Sequence, residues 1–414
     1  MNNPLLAAER TRGVNYAVRD IVLVAREAKA RGKDLIYLNI GDPNQFGFET
    51  PTHLIDVICR SLRDNKNSYA SSEGIPEALS AIRTDAESRL GITNIQDVYV
   101  GHGCGECIEL ALAALVNRGE EVLVPHPGYP LYSAVLAKLE AVERPYSLLP
   151  ENQWEPDIDE LKALVRPTTR AIVINTPHNP TGAVYSRDIL EALAEFAAEH
   201  NIVILSDEIY DQLVLDDDAQ HVSIASLRDD IVTVTFGGLS KVYIGPGLRI
   251  GWSITSGPAH MTSDYIAGQH RFLRARLCAN HPVQYAIAPA LQGDKSFLER
   301  FKKKVRVRRD LISQALGDLP GVSCEPPRAA FYAFAEFDPK IAKDRSLGSS
   351  ANASAPDKQW VEALIRDTGV VLVHGSGFGQ MPAGRHFFRL VYLPSEARLL
   401  EATERMKHFM TTSQ

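Results

Sequence analysis

The chain has 414 residues, 45% of them hydrophobic and 23% charged, with a formal net charge of −7. That is enough chain for two domains with sizeable cores, and the balance is that of a globular protein rather than a disordered or fibrous one. A mildly acidic charge argues against nucleic acid as the main partner. No run of about eighteen apolar residues marks a membrane span, and five cysteines do not make a disulfide framework, so a reducing cytoplasm is the expected compartment.

The first twenty residues, opening MNNPLLAAERTRG, read as an arm and carry no signal-peptide pattern. Strands are expected at 97–100 (DVYV), 121–124 (EVLV), 170–175 (RAIVIN), 202–206 (IVILS) and 231–236 (IVTVTF). Each is almost continuously apolar, as buried strands of a mostly parallel sheet should be. Helical patterns at 105–117, 129–140, 158–165 and 186–200 fall between them, the last with Ser186 as its N-cap. This alternation predicts an α/β layered domain with ligands at the C-terminal ends of the strands. The character changes near residue 290. An amphipathic helix at 295–316, short strands around 320–337 and 385–393, and helices at 357–368 and 395–411 read as a smaller α+β domain. The expected division is an arm (1–20), a large domain (50–290) and a small domain (21–49 with 291–414). Residues 340–356, rich in Ser, Ala and Lys, read as an exposed loop. The basic run Lys302, Lys303, Lys304, Arg306, Arg308 and Arg309 reads as the solvated face of a helix.

Chemistry is concentrated where strands end. GHGCGECIEL (101–110) follows DVYV and opens a helix, whose first N–H groups suit an anion such as phosphate. Its glycines do not make a dinucleotide fingerprint, and the C-x-x-C of Cys104 and Cys107 lacks the second ligand pair that zinc needs. NTPHNPTG (175–182) follows AIVIN, and Pro177 and Pro180 bracket Asn179, fixing the backbone that carries its amide. SDEIYDQL (206–213) places Asp207 at a strand end and Tyr210 three residues on. In GGLSKVYIGPGLRIGW (237–252), Lys241 follows a buried strand. Lysine is rarely buried without a partner, whereas covalent carbonyl chemistry asks for an amine held in place. Arg249 follows in the same loop and can fork onto a phosphate. Taken singly, each segment also has a plainer reading, as a surface turn, a proline turn or an N-cap.

Together and in this order, from NIGDPNQFGF (39–48) to FFRLVYLP (387–394), they resemble the class I/II aminotransferases of PLP fold type I. NIGDPNQFGF, YDQLVLDD and RLCANHPVQYAI look most like the bacterial alanine (glutamate–pyruvate) aminotransferases. The resemblance implies a large domain with a mostly parallel sheet between helices, a smaller α+β domain, a pyridoxal 5′-phosphate cofactor, and a homodimer with shared active sites. It implies ping-pong transfer of an amino group, with L-alanine and 2-oxoglutarate as the favoured pair. It implies that Lys241 bonds the cofactor and shuttles a proton, that Asp207 faces the pyridine nitrogen, and that Asn179 and Tyr210 bond the ring oxygen. Tyr129, in HPGYPLY, would stack on the ring. Cys104 and Gly105 would give amides to the phosphate, with Arg249 as its cation and Tyr69 reaching it from the neighbouring subunit. Arg389 would clamp the substrate carboxylate beside the backbone of Gly41, and Tyr16 and Arg19 would close over it. One position departs from the pattern: Gly238 stands where many members carry a phosphate-binding serine, leaving Ser240 or backbone amides to substitute. The same cofactor residues would also serve another PLP enzyme of this fold, such as a C–S lyase, a replacement enzyme or a specialised biosynthetic enzyme. A regulator of this fold is disfavoured, because the arm is too short for a helix-turn-helix module.

Overall fold

A computed structural model describes residues 5–338 and 355–411. In chain order its strands are β1 (Ile36–Tyr37), β2 (Ile95–Gly101), β3 (Glu121–His126), β4 (Val142–Ser147), β5 (Thr169–Asn175), β6 (Val203–Asp207), β7 (Thr233–Gly238), β8 (Gly251–Ser256), β9 (Val322–Ser323), β10 (Tyr332–Phe337), β11 (Val370–Val371), β12 (Val373–His374) and β13 (His386–Val391). The larger sheet runs β2-β8-β7-β6-β5-β3-β4. Only β8 runs against its neighbours; the strands from β7 to β4 are mutually parallel.

The apolar runs follow from two-sided burial. Alternate residues of a strand point to opposite faces. Ala171 and Val173 therefore join Val122, Val124, Leu205 and Val234 under the helices Cys104–Leu115 and Leu131–Leu139. Ile172 and Ile174 join Leu123 and Ile204 under Arg187–His200 on the other face. Ser186 caps that helix, its hydroxyl accepting from the N–H of Ile189. All five expected strands are present. β4 and β8 were not expected, for different reasons. β4 (VERPYS) is an edge strand, interrupted by proline and half exposed, so it carries no apolar run. β8 starts at the end of the glycine-rich stretch around Lys241, where turn signals mask it.

The second sheet is antiparallel, in the order β12-β13-β10-β9, and packs with the helices Ser296–Gly317, Pro356–Thr368 and Glu396–Thr411. β1 pairs in parallel with β11, carrying the chain before residue 50 into this layer. The helix Ala17–Ala30 buries Val18, Ile21, Ala25 and Ala28 and lies against Pro356–Thr368. Of the expected loop at 340–356, residues 340–354 lie outside the described residues, and Pro356 begins a helix. The basic run is only partly a solvated face. Lys303 and Lys304 are exposed, but Arg308 and Arg309 are buried, because their turn faces the core and finds Glu396 and Asp216. Among the described residues, no helix is long and apolar enough to cross a membrane.

Candidate active site

At the C-terminal rim of the large sheet lies a cleft of about 600 Å³. Parallel strands end here and their connections diverge, β3 leading outward to β4 and β5 lying on its other side, which is where open α/β sheets bind ligands. The cleft is lined by Tyr16, Arg19, Gly41, Cys104, Gly105, Tyr129, Asn179, Asp207, Tyr210, Ser240, Lys241, Arg249 and Arg389. Every candidate site residue read from the sequence is thus brought together except Tyr69, which is 80% exposed and outside the cleft.

Asp207 is the last residue of β6 and is buried. Its Oδ1 accepts from the N–H of Ile209 at 3.3 Å and its Oδ2 from the hydroxyl of Tyr132 at 3.3 Å, with the Cys104 thiol 4.0 Å from Oδ1. Burial pushes this carboxyl up to about 6; the two donors and Lys241 only partly oppose that. Asn175 ends β5 and ties two loops together. Its Nδ2 donates to the Asp207 carbonyl at 2.9 Å, while its Oδ1 accepts from the Asn179 N–H at 2.9 Å.

The amine of Lys241 is part-buried, donates to the Gly41 carbonyl at 2.8 Å and sits 5.8 Å from the Phe331 ring. Its loop is held in an uncommon backbone form, with Ile244 and Arg249 both at φ 52°. Such conformations persist where surrounding structure imposes them. Arg249 donates to the carbonyls of Pro246 and His102, at 3.1 and 3.3 Å, lying across the start of the helix Cys104–Leu115. Gly103 makes room for it: at φ +84°, a Cβ there would stand 2.5 Å from the guanidinium. Gly238 has a comparable reason. A side chain would meet the Ile250 carbonyl at 2.9 Å, so the serine of the common pattern has no space, and the buried Ser240 is the hydroxyl that lines the cleft.

Arg389, on β13, is 2% exposed. It donates to Asn179 Oδ1 at 3.0 Å and to the Asn39 carbonyl, and its Nε finds no partner. The rings of Tyr332 and Phe378 lie 4.5 and 4.8 Å from its guanidinium carbon. No carboxylate among the described residues pairs with it, and burial lowers its pKa. Tyr210 and Tyr332 share a hydrogen bond at 2.7 Å, as do Tyr16 and Tyr129 at 2.9 Å, and burial raises Tyr210, Tyr16 and Tyr129.

Sequence reasoning did not single out Asn175, Tyr132, Tyr332 or Phe378. A polar residue closing the apolar run AIVIN was a usable signal for Asn175. Nothing local marks Tyr332, whose partners Tyr210 and Arg389 are 122 and 57 positions away (332 − 210, 389 − 332).

A covalent amine, a buried acid, an anion-ready helix start and a buried guanidinium form a donor set that fits a phosphorylated pyridine aldehyde and a carboxylate substrate. The chain matches the family Aminotransferase class I and II over residues 33–406. It belongs to that family. Glutamate-pyruvate aminotransferase AlaA of Escherichia coli K12 is 38% identical over 396 residues, covering 95% of this chain and 94% of that one. Alanine aminotransferase of Mycobacterium bovis is 37% identical over 392 residues, covering 94% and 88%. The solved alanine aminotransferase from Pyrococcus furiosus superposes with a TM-score of 0.90 at 36% identity, covering 98% and 99%. This aminotransferase therefore has PLP fold type I, depends on pyridoxal 5′-phosphate, and takes amino acid and keto acid substrates.

Proposed function

We propose that this aminotransferase moves the amino group of L-alanine to 2-oxoglutarate, as a homodimer whose subunits share active sites. The observation that carries the carboxylate part is the buried guanidinium of Arg389, left without a carboxylate of its own. A buried, unpaired charge is costly unless a ligand completes it. The printed activities of the relatives, glutamate–pyruvate and alanine aminotransferase, support the choice of donor. Five free cysteines fit a reducing cytoplasm.

When bound, pyridoxal phosphate supplies an aldehyde that links covalently to amines and a ring that draws electrons from the substrate α-carbon. Lys241 would hold it, and its Nζ would carry the α-proton. Asp207 sets a negative charge at the ring-nitrogen end of the cleft. Asn179 spends its carbonyl on Arg389, so its amide N–H₂ group, with the Tyr210 hydroxyl, serves the ring oxygen. Tyr129, which lines the cleft, would pack against the ring. The N–H groups of Cys104 and Gly105, the Ser240 hydroxyl and Arg249 hold the phosphate, joined by Tyr69 of the other subunit. Arg389 and the backbone of Gly41 orient the substrate carboxylate, and Tyr16 and Arg19 close the mouth against water. Both half-reactions use one site, so the kinetics are ping-pong. An amino-donor screen against 2-oxoglutarate and pyruvate, with the visible spectrum recorded alongside, tests this. Pyruvate formation from L-alanine is expected; turnover of other donors with none from alanine would reject the assignment.

A further inference from the structure

The aminotransferase reading makes no use of His126, the residue that ends β3 and starts the HPGY segment leading to Tyr129. Its Nε2 bonds Glu143 Oε1 on β4 at 2.7 Å, and Glu143 also accepts from Ser133 at 2.7 Å. Burial raises the Glu143 carboxyl, but the contacts with His126 and Ser133 outweigh it and hold the group below its ordinary range. On the ring's other side, the backbone N–H of Gln380 lies 2.9 Å from Nδ1. A backbone N–H can only donate, so Nδ1 must accept, and the imidazole proton sits on Nε2 toward the carboxylate.

The donating segment is the turn Gly375–Phe378, followed by Gly379 and Gln380. It presses closely on the ring: a Cβ at Gly379, where φ is +119°, would stand 2.6 Å from the imidazole. A second bond joins the same two segments, from the Gly128 N–H to the Phe378 carbonyl at 2.7 Å. At its other end the turn is tied to the helix Pro356–Thr368, where Asp357 accepts from both the N–H and the hydroxyl of Ser376. Between these anchors stands Phe378, buried, with its ring under the Arg389 guanidinium and edge-on to Phe334.

We propose that His126 is a positioning residue for the reaction: its Nδ1, accepting from the Gln380 N–H, clamps the turn 375–380 to the end of β3, holding Phe378 against Arg389 and fixing the carboxylate site relative to Tyr129. The proposal rests on the reading of Arg389 as that site. It predicts a penalty on carboxylate binding, with little effect on cofactor loading or on the chemical step.

The test compares cofactor-loaded wild type with His126→Asn, His126→Gln and Gln380→Pro. Asn places an oxygen near the position of Nδ1 and keeps the clamp. Gln keeps the reach to Glu143 but loses the clamp. Gln380→Pro deletes the donor from the opposite side, and Gly379, at φ 119° and ψ −168°, lies outside the α region that a following proline disfavours. The first readout is the dissociation constant of propionate, a carboxylate that cannot react, measured by calorimetry; the second is KM and kcat for L-alanine. His126→Gln and Gln380→Pro are expected to weaken propionate about fivefold, the weight of one hydrogen bond, and to raise KM in proportion. kcat and the visible spectrum should stay at wild-type values, and His126→Asn should stay within about twofold throughout. Equal losses in Asn and Gln, a fall in kcat at unchanged KM, or a shifted spectrum would overturn the proposal, as would wild type that does not bind propionate. Should Gln380→Pro fail to fold, the Asn and Gln pair decides alone. Wild type that binds propionate but does not turn over alanine sinks only the donor assignment.

Discussion

Away from the cleft, buried charges have partners of opposite sign. Glu208 bonds His221 at 3.0 Å and also accepts from Ser206 and Ser223. Asp85 pairs with Arg89 at 2.6 Å, Arg308 with Glu396, and Arg309 with Asp216 and Asp310. In the cleft, Asp207, Arg389 and Lys241 meet only neutral donors or acceptors at hydrogen-bond distance. Asp207 and Glu208 are consecutive, yet one is finished by its surroundings and the other is not. Buried pairs that balance each other are structural; buried charges left without a counter-charge mark where a ligand completes the site.

The largest test of that contrast removes the cleft's amine. Lys241→Ala should lower kcat by at least about 10³, since both the covalent anchor and the proton carrier are lost. Visible absorbance should no longer survive dialysis. Because among the described residues Nζ bonds only the Gly41 carbonyl, the melting temperature of the cofactor-free protein should barely move. A cofactor-free variant that unfolds early would show that the amine is structural after all.

Arginines give the same contrast with opposite signs. Arg309→Met takes from the half-buried Asp216 its nearer cation, leaving Arg328 at 3.4 Å, and should destabilise the fold by about 1–2 kcal/mol. Arg389→Met strands no carboxylate and should leave stability unchanged or slightly raised, while KM for the amino acid rises on the order of a hundredfold. Urea titration of both variants, with steady-state kinetics of the second, checks this. Equal destabilisation would erase the distinction between the regions.

The third test is a pH slope. Folding raises the Asp207 carboxyl to about 6, above its unfolded value, so the folded chain holds that proton more tightly. The associated stability is fully present below the unfolded pKa and is lost as pH rises through about 6. Two units correspond to about 3 kcal/mol, less whatever the pocket gains by relaxing. Cofactor-free wild type should therefore lose stability between about pH 4 and pH 6 relative to Asp207→Asn, which lacks the titrating group. Parallel curves for the two proteins would remove Asp207 from the account.

How much of this could be read from the chain divides along the same lines. The parallel strands were legible because two-sided burial writes itself as unbroken apolar runs, as in RAIVIN and IVILS. Asp207, which follows IVILS directly, and Asn179 and Lys241, in the loops just beyond their runs, were legible because polar or charged types there need a purpose; Asn175, which closes RAIVIN itself, was not singled out. β4 was not, since a half-exposed edge strand has no such run. Nor were Tyr332 and Phe378, ordinary aromatics whose importance comes from the guanidinium beside them. The basic run on the long helix misled for a related reason. Charge density says solvent, whereas burial of Arg308 and Arg309 is decided by Glu396 and Asp216, far away in sequence.

Tyr69 carries the smallest expected effect and concerns what a single chain leaves incomplete. It is 80% exposed, so its ring adds almost nothing to its own core, and its hydroxyl stands outside its own cleft. If it serves the phosphate of a second copy, Tyr69→Phe deletes one hydrogen bond to an anion and nothing else. Cofactor retention, followed as the dissociation constant during dialysis or by fluorescence, should then weaken about three- to tenfold, with the stability of the cofactor-free protein unaltered. A site wholly built from one chain predicts no change in retention at all. That outcome would leave Arg249, Ser240 and the helix start as the complete phosphate shell and would withdraw the shared-site dimer.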